Sequence, residues 1–134
     1  MTTRIVPIAG KTAEIIETVM SSPDVPQDET LRFKIRLSVE EIAENIVNYA
    51  YNNGNGFVEI TTTLDEAGML TISFKDAGVP FNPLEKEDPD ITLSLDERPV
   101  GGLGIFICKK MMDSVSYVFE DGCNNFTMKI NTRK

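Results

Sequence analysis

The chain has no histidine, only two cysteines and no long apolar run, and each shortage removes a class of function. Without histidine, no imidazole can act as a general base or complete a Ser-His or Cys-His pair. A zinc site would have to be built from cysteine and carboxylates alone. Cys108 and Cys123 could pair, but in a cytosolic chain both read as small buried apolar residues. No stretch approaches the roughly 18 apolar residues that span a bilayer. The opening Met-Thr-Thr-Arg-Ile-Val-Pro lacks the apolar core of a secretory signal, so a cytoplasmic chain without a membrane partner is expected. Basic charge is also scarce, with 13 Lys and Arg against 21 Asp and Glu and a formal net charge of −8. Lys109-Lys110 and Arg133-Lys134 are the only dense basic spots, too little to advertise a nucleic-acid partner. The acidity suits a basic protein partner instead.

What is present is enough for one domain with a real core: 134 residues, 41% hydrophobic and 25% charged. Residues 4–9 read as a strand that Pro7 pushes toward a sheet edge. Lys11 to Met20 carries Ile15, Ile16, Val19 and Met20 at helical spacing and stops at Ser-Ser-Pro23. Asp28 can cap the longest helix, which runs to about Tyr51 with an apolar stripe of Leu31, Ile35, Val39, Ile42, Ile46 and Tyr49. Asn-Asn-Gly54-Asn-Gly56 ends it.

Two alternating strands follow around Val58–Leu64 and Leu70–Lys75, joined by an Asp65–Gly68 hairpin. Two more, around Val115–Phe119 and Phe126–Ile130, turn at Glu120-Asp-Gly122. Between the pairs lies Asn82 to Val100, 19 residues with three prolines and six acidic side chains. A segment of that length without periodicity reads as a functional lid. Gly102 to Met112 then forms a helix with Leu103, Phe106, Ile107 and Met111 expected on its buried stripe. The fold class is a two-layer α/β (α+β) sandwich, three helices on one face of a mixed, mostly antiparallel sheet.

Three short polar or glycine-rich signals stand out in order. Glu41, Asn45 and Asn48 share one face of the long helix beside its apolar stripe. An Asn carbonyl there is a neutral oxygen ligand suited to Mg²⁺, which keeps most of its waters; a plain solvated face is the alternative. Asp76-Ala-Gly78 closes a strand, where a carboxylate can accept from an exocyclic amine and glycine admits close backbone approach; an ordinary turn is the alternative. Gly101-Gly-Leu-Gly104 opens a helix whose free N–H groups suit phosphate oxygens; a lid hinge is the alternative. The spacing is neither a Rossmann fingerprint nor a Walker loop. Arg98 could add a charge-assisted contact to a terminal phosphate.

Helix with Glu-x-x-x-Asn, strand then Asp-x-Gly, lid, then Gly-x-Gly opening a helix resembles the Bergerat ATP-binding fold, shared by histidine kinases, Hsp90, DNA gyrase and MutL. The small size and the run Glu97-Arg-Pro-Val-Gly-Gly-Leu-Gly-Ile-Phe-Ile-Cys-Lys-Lys-Met-Met-Asp-Ser-Val look like the bacterial anti-sigma factor serine kinases. The resemblance implies a single histidine kinase-like ATPase domain over residues 1–134, with 82–100 as ATP lid. It implies ATP and Mg²⁺ as cofactors, Glu41 as catalytic base and Asn45 as metal ligand. Asp76 would read adenine, with Asn48, Gly78, Gly102, Leu103, Gly104 and Ile105 around the nucleotide and Arg98 near the γ-phosphate. Asp113, at a helix-strand junction, would be structural. Where the family often has His before Gly or Ala and Tyr, this chain has Tyr49-Ala50-Tyr51, and Tyr49 reads as core-packed.

The function so implied is an ATP-binding anti-sigma regulator with serine/threonine kinase activity. It would phosphorylate a STAS-type anti-anti-sigma partner in a partner-switching circuit, with a sigma factor as a second partner and a homodimer formed through the first strand and helix. The rival is a non-catalytic ATP-gated binding module, which would not need the Glu41 carboxylate. A simple ATPase ranks third.

Overall fold

The computed structural model describes residues 1–51, 55–85 and 103–133. Among the described residues, five strands and three α-helices follow in the order β1 Thr2–Ile5, α1 Thr12–Met20, α2 Glu29–Tyr49, β2 Val58–Leu64, β3 Met69–Asp76, α3 Leu103–Met111, β4 Ser114–Glu120 and β5 Cys123–Asn131. A short 3₁₀ turn covers Pro83–Glu85. The strands form one sheet in the order β1-β2-β3-β5-β4. Every pair among the described residues is antiparallel, so the sheet is more uniform than the mixed one expected.

Local chemistry sets the boundaries. Asp28 caps α2 by accepting from the Leu31 N–H at 2.9 Å, a contact worth about 1 kcal/mol. β1 stops at Ile5 rather than running to residue 9, because Pro7 has no N–H to give the ladder; Ile8 then rejoins by donating to the Gly56 carbonyl at 3.1 Å. The β4–β5 hairpin turns on Asp121 and Gly122 with φ of 54° and 76°, the paired positive values that a two-residue Asp-Gly turn demands.

The core lies between sheet and helices. Ile60, Ile72, Phe74 and Met128 point inward, at most 1% exposed, against Ile15, Ile35, Val39 and Ile42 from α1 and α2. The opposite face of the sheet is wet. Across its middle, register aligns Thr2, Thr61, Ser73, Thr127 and Ser116, one hydroxyl from each strand, and Thr2 and Thr61 hydrogen-bond through their hydroxyls at 3.2 Å.

Two packing expectations need correction. α3 buries Ile105 and Cys108, and Met112 just past it is buried too, whereas Phe106, Ile107 and Met111 are half-buried. The helix lies against α2 through its small side, where the Cys108 thiol donates to the Ser38 carbonyl at 3.4 Å. In a nine-residue helix that is almost wholly apolar, spacing alone cannot choose between adjacent stripes. Tyr49 is 60% exposed instead of packed in the core, because the inward stripe continues from Ile46 to Ala50, four residues on and 6% exposed. Cys108 is buried and Cys123 half-buried, both as free thiols. Burial pushes the Cys108 thiol up to about 12, so it stays protonated and inert. Among the described residues no helix is long and apolar enough to cross a membrane.

Candidate functional site

A cleft opens where the C-terminal half of α2 leaves the sheet. Ile42, Asn45 and Ile46 line it from α2 and Ala50 from the helix's C-cap, with Phe74, Asp76 and Phe126 from the sheet. Tyr49 and Phe81 also line it, ring centroids 6.2 Å apart. Its empty space is about 430 Å³ including the part open to solvent.

Asp76, 4% exposed, ends β3 at the polar spot of this cleft. Its Oδ1 accepts from the Gly78 N–H at 2.9 Å and from the Asn124 amide at 2.9 Å. Its Oδ2 has no hydrogen-bond partner among the described residues, and no fully enclosed side-chain oxygen or nitrogen there lacks one, so Oδ2 reaches the cleft. Burial raises the Asp76 carboxyl above its ordinary 3.8, outweighing the lowering by Asn124 and the Gly78 N–H.

The segment after β3 is pinned to the end of α2. Val79 donates to the Ala50 carbonyl at 2.8 Å, supplying a partner to a helix-end acceptor that has none within the helix. A side chain at Gly78 would meet that carbonyl oxygen at 2.1 Å, so glycine is required by the approach. Tyr51 adds a second tie: its hydroxyl donates to the Phe57 carbonyl at 2.7 Å and accepts from the Ala77 N–H at 2.8 Å. Removing that hydroxyl in Tyr51→Phe strands both backbone groups, and a loss of about 1–3 kcal/mol is expected in chemical denaturation.

Glu41 lies one turn before Asn45 along α2, outside the cleft lining, and faces the start of α3. A side chain at Gly104 would meet its Oε2 at 1.9 Å. The Glu41 carboxylate makes no hydrogen bond or ion pair among the described residues. Burial holds its carboxyl above the ordinary 4.5, and the like charges of Glu44 and Glu40 add to the rise. Asn45 is half-buried, and its amide likewise has no hydrogen bond among the described residues. Asn45 lines the same cleft as Asp76, and a free amide oxygen is a ligand type that Mg²⁺ accepts.

Of the other residues expected at the site, Asn48 is exposed and does not line the cleft. Ile105 is 5% exposed and turns into the core, leaving only its backbone to offer. Leu103 begins α3. Arg98, Gly102 and the expected lid from residue 86 onward lie outside the described residues. Asp113 accepts from the Asn131 N–H at the α3–β4 junction, a structural tie as expected.

Sequence reasoning missed Asn124 and Tyr117. The Asn124 Oδ1 accepts from the Phe81 N–H at 3.1 Å and from the Tyr117 hydroxyl. The signal lies in the alternation: Asn124 occupies the inward register shared with Phe126, Met128 and Ile130, and a polar residue in that series asks for a buried partner.

Helix, sheet and cleft together define a two-layer α/β domain with a site between its long helix and the sheet. Residues 9–130 match the model of the family described as histidine kinase-like ATPase domain, and the chain belongs to that family. It is 29% identical over 98 residues to the serine/threonine-protein kinase BtrW of Bordetella bronchiseptica, a match covering 73% of this chain and 69% of that protein. It is 30% identical over 92 residues to the serine-protein kinase RsbW of Bacillus thuringiensis, covering 66% of this chain but only 57% of the relative. A Mycobacterium tuberculosis structure with RsbU and RsbW domains superposes on 98% of the chain at TM-score 0.62 and 13% identity, using 32% of that larger chain. The histidine kinase domain of the Erythrobacter litoralis blue-light activated kinase covers 97% of this chain and 67% of its own at TM-score 0.59 and 14% identity. These two structural likenesses concern the fold.

Proposed function

We propose that this protein is an ATP-dependent serine/threonine protein kinase of the anti-sigma regulator type, cytoplasmic and dimeric, acting on a STAS-type anti-anti-sigma partner. The observation that carries the reading is Glu41: an uncommitted, half-buried carboxylate one helical turn from the Asn45 amide and against Gly104 at the start of α3. A module that only binds nucleotide has no use for that carboxylate.

ATP is the substrate, held by Asp76 at its base and by the backbone around Gly102 and Gly104 at its phosphates, with Arg98 near the terminal one. Asn45 would hold Mg²⁺, which neutralises charge developing on the phosphate oxygens. Glu41 accepts the proton of the partner's serine hydroxyl as that oxygen takes the γ-phosphoryl group and ADP leaves. The remaining acceleration comes from positioning. The phosphate placed on the partner carries about two negative charges and repels an acidic protein, releasing the kinase to hold a sigma factor.

The test mixes the full chain with labelled ATP, Mg²⁺ and a STAS protein encoded beside it. Label on the STAS serine is expected; bound ATP without label would reduce the protein to a nucleotide-gated binder. The base site is tested separately by Asp76→Asn. That change replaces an acceptor by an amide whose donor end opposes the base amine, and ATP affinity is expected to fall about 100-fold in a calorimetric titration.

A further inference from the structure

Asn124 sits directly opposite Asp76 in the β3–β5 ladder and is 6% exposed. Its amide orientation is fixed by two backbone groups that can act in only one sense. The Phe81 N–H must donate, so Oδ1 faces it at 3.1 Å; the Val79 carbonyl must accept, so Nδ2 faces it at 2.9 Å. The second Nδ2 hydrogen goes to Asp76 Oδ1 at 2.9 Å, and the second Oδ1 lone pair takes the Tyr117 hydroxyl. All four bonding positions of this amide are therefore engaged by protein.

Two consequences follow for the cleft. Asp76 cannot rotate without breaking the Asn124 and Gly78 bonds, so Oδ2 keeps one direction. No N–H of Asn124 is left to face a ligand, so Asn124 adds no donor beside the Asp76 acceptor.

We infer that Asn124 is the positioning residue of the base site and sets its selectivity: it fixes Asp76 to take a purine bearing a 6-amino group and to reject one bearing a 6-oxo group. This rests on the nucleotide reading above and adds to it the residue that enforces the choice. Asn124 touches no reacting atom; it acts through Asp76 and through the 78–81 segment.

The experiment compares ATP with inosine triphosphate, which differs only at that position, by calorimetry on the full chain. Wild type is expected to favour ATP by on the order of 100-fold, as sites built around a substrate hydrogen bond do. Asn124→Leu, similar in size but unable to hold Asp76, should weaken ATP binding about 10-fold and shrink the preference below about 10-fold. Asn124→Ser, which stays polar but cannot span from Asp76 to Phe81, should fall between the two and serves if the leucine variant does not fold. In both, KM for ATP should rise while kcat at saturating ATP stays within about twofold, a split that general destabilisation does not produce. A folded variant that keeps the wild-type preference overturns the inference and leaves the nucleotide site standing. Wild type that binds neither nucleotide overturns both.

Discussion

Glu41→Gln is expected to lower phosphoryl transfer to the protein substrate by about 100- to 10,000-fold, the usual worth of a positioned general base. ATP affinity should change by less than about threefold, because Glu41 lies outside the cleft lining. A single-turnover assay with labelled ATP and a parallel nucleotide titration separate the two effects. Gly104→Ala should act in the same direction by a different route. Its methyl group would land 1.9 Å from Glu41 Oε2, and the flexible carboxylate swings away, so transfer falls while folding stability is largely kept. Ionisation supplies a third reading of the same group. Burial and the neighbouring Glu44 and Glu40 hold the Glu41 carboxyl above 4.5, and only its ionised form can accept a proton. The transfer rate should therefore decline with acid through a limb centred above 4.5, and Glu41→Gln should abolish that limb.

Gly78→Ala is the second large effect. The added carbon would sit 2.1 Å from the Ala50 carbonyl oxygen and 2.5 Å from its carbon, and both belong to the backbone at the end of α2. Relief requires the 77–79 segment to lift, breaking the 2.8 Å Val79–Ala50 bond. Overpacking plus that lost bond amounts to about 2–4 kcal/mol in a urea melt. The lift also carries Asp76 off its Gly78 N–H, so ATP affinity is expected to drop at least about 10-fold in protein that remains folded. Gly10→Ala gives the contrasting case of backbone strain without a close contact: its φ is 70°, yet nothing lies within 4 Å of the added carbon. A Gly78→Ala protein as stable and as avid as wild type would mean that the close approach has no energetic weight.

Much of this architecture can be read from the residues in order. Strict alternation in Val58–Leu64 and Met69–Asp76 specifies strands, because a period of two on a half-buried sheet leaves few other solutions. Asp28 and the stripe through Ile46 specify the long helix, since a capping carboxylate and an apolar face are both local signals. Glu41, Asn45 and Asp76 are legible only in combination: each alone reads as a solvated helix face or a turn, and their order with the glycine signals carries the resemblance. For α3 the spacing locates the helix but not its rotation, as periodicity carries no phase information when nearly every side chain is apolar. Asn124 is hidden for another reason: beside Gly122 it reads as a turn residue. Its importance comes only from the register that sets it across from Asp76, a partner 48 positions earlier in the chain. Tyr49 is misplaced by spacing because three- and four-residue steps from Ile46 are both helical, and the core takes Ala50, the four-residue step.

The hydroxyl row across the wet face of the sheet has a consequence for how the molecule responds to its surroundings. Thr2, Thr61, Ser73, Thr127 and Ser116 stay neutral at every physiological pH and exchange hydrogen bonds with water in either sense. The midline of that face is thus blind to ionic strength and proton concentration, whereas α1 and α2 carry Glu14, Glu17 and Glu40 in exposed ion pairs that salt screens. That face therefore keeps a neutral midline between flanking charges such as the Arg4–Glu59 pair, while the candidate chemistry sits with the ion-paired helices on the other side of the sheet.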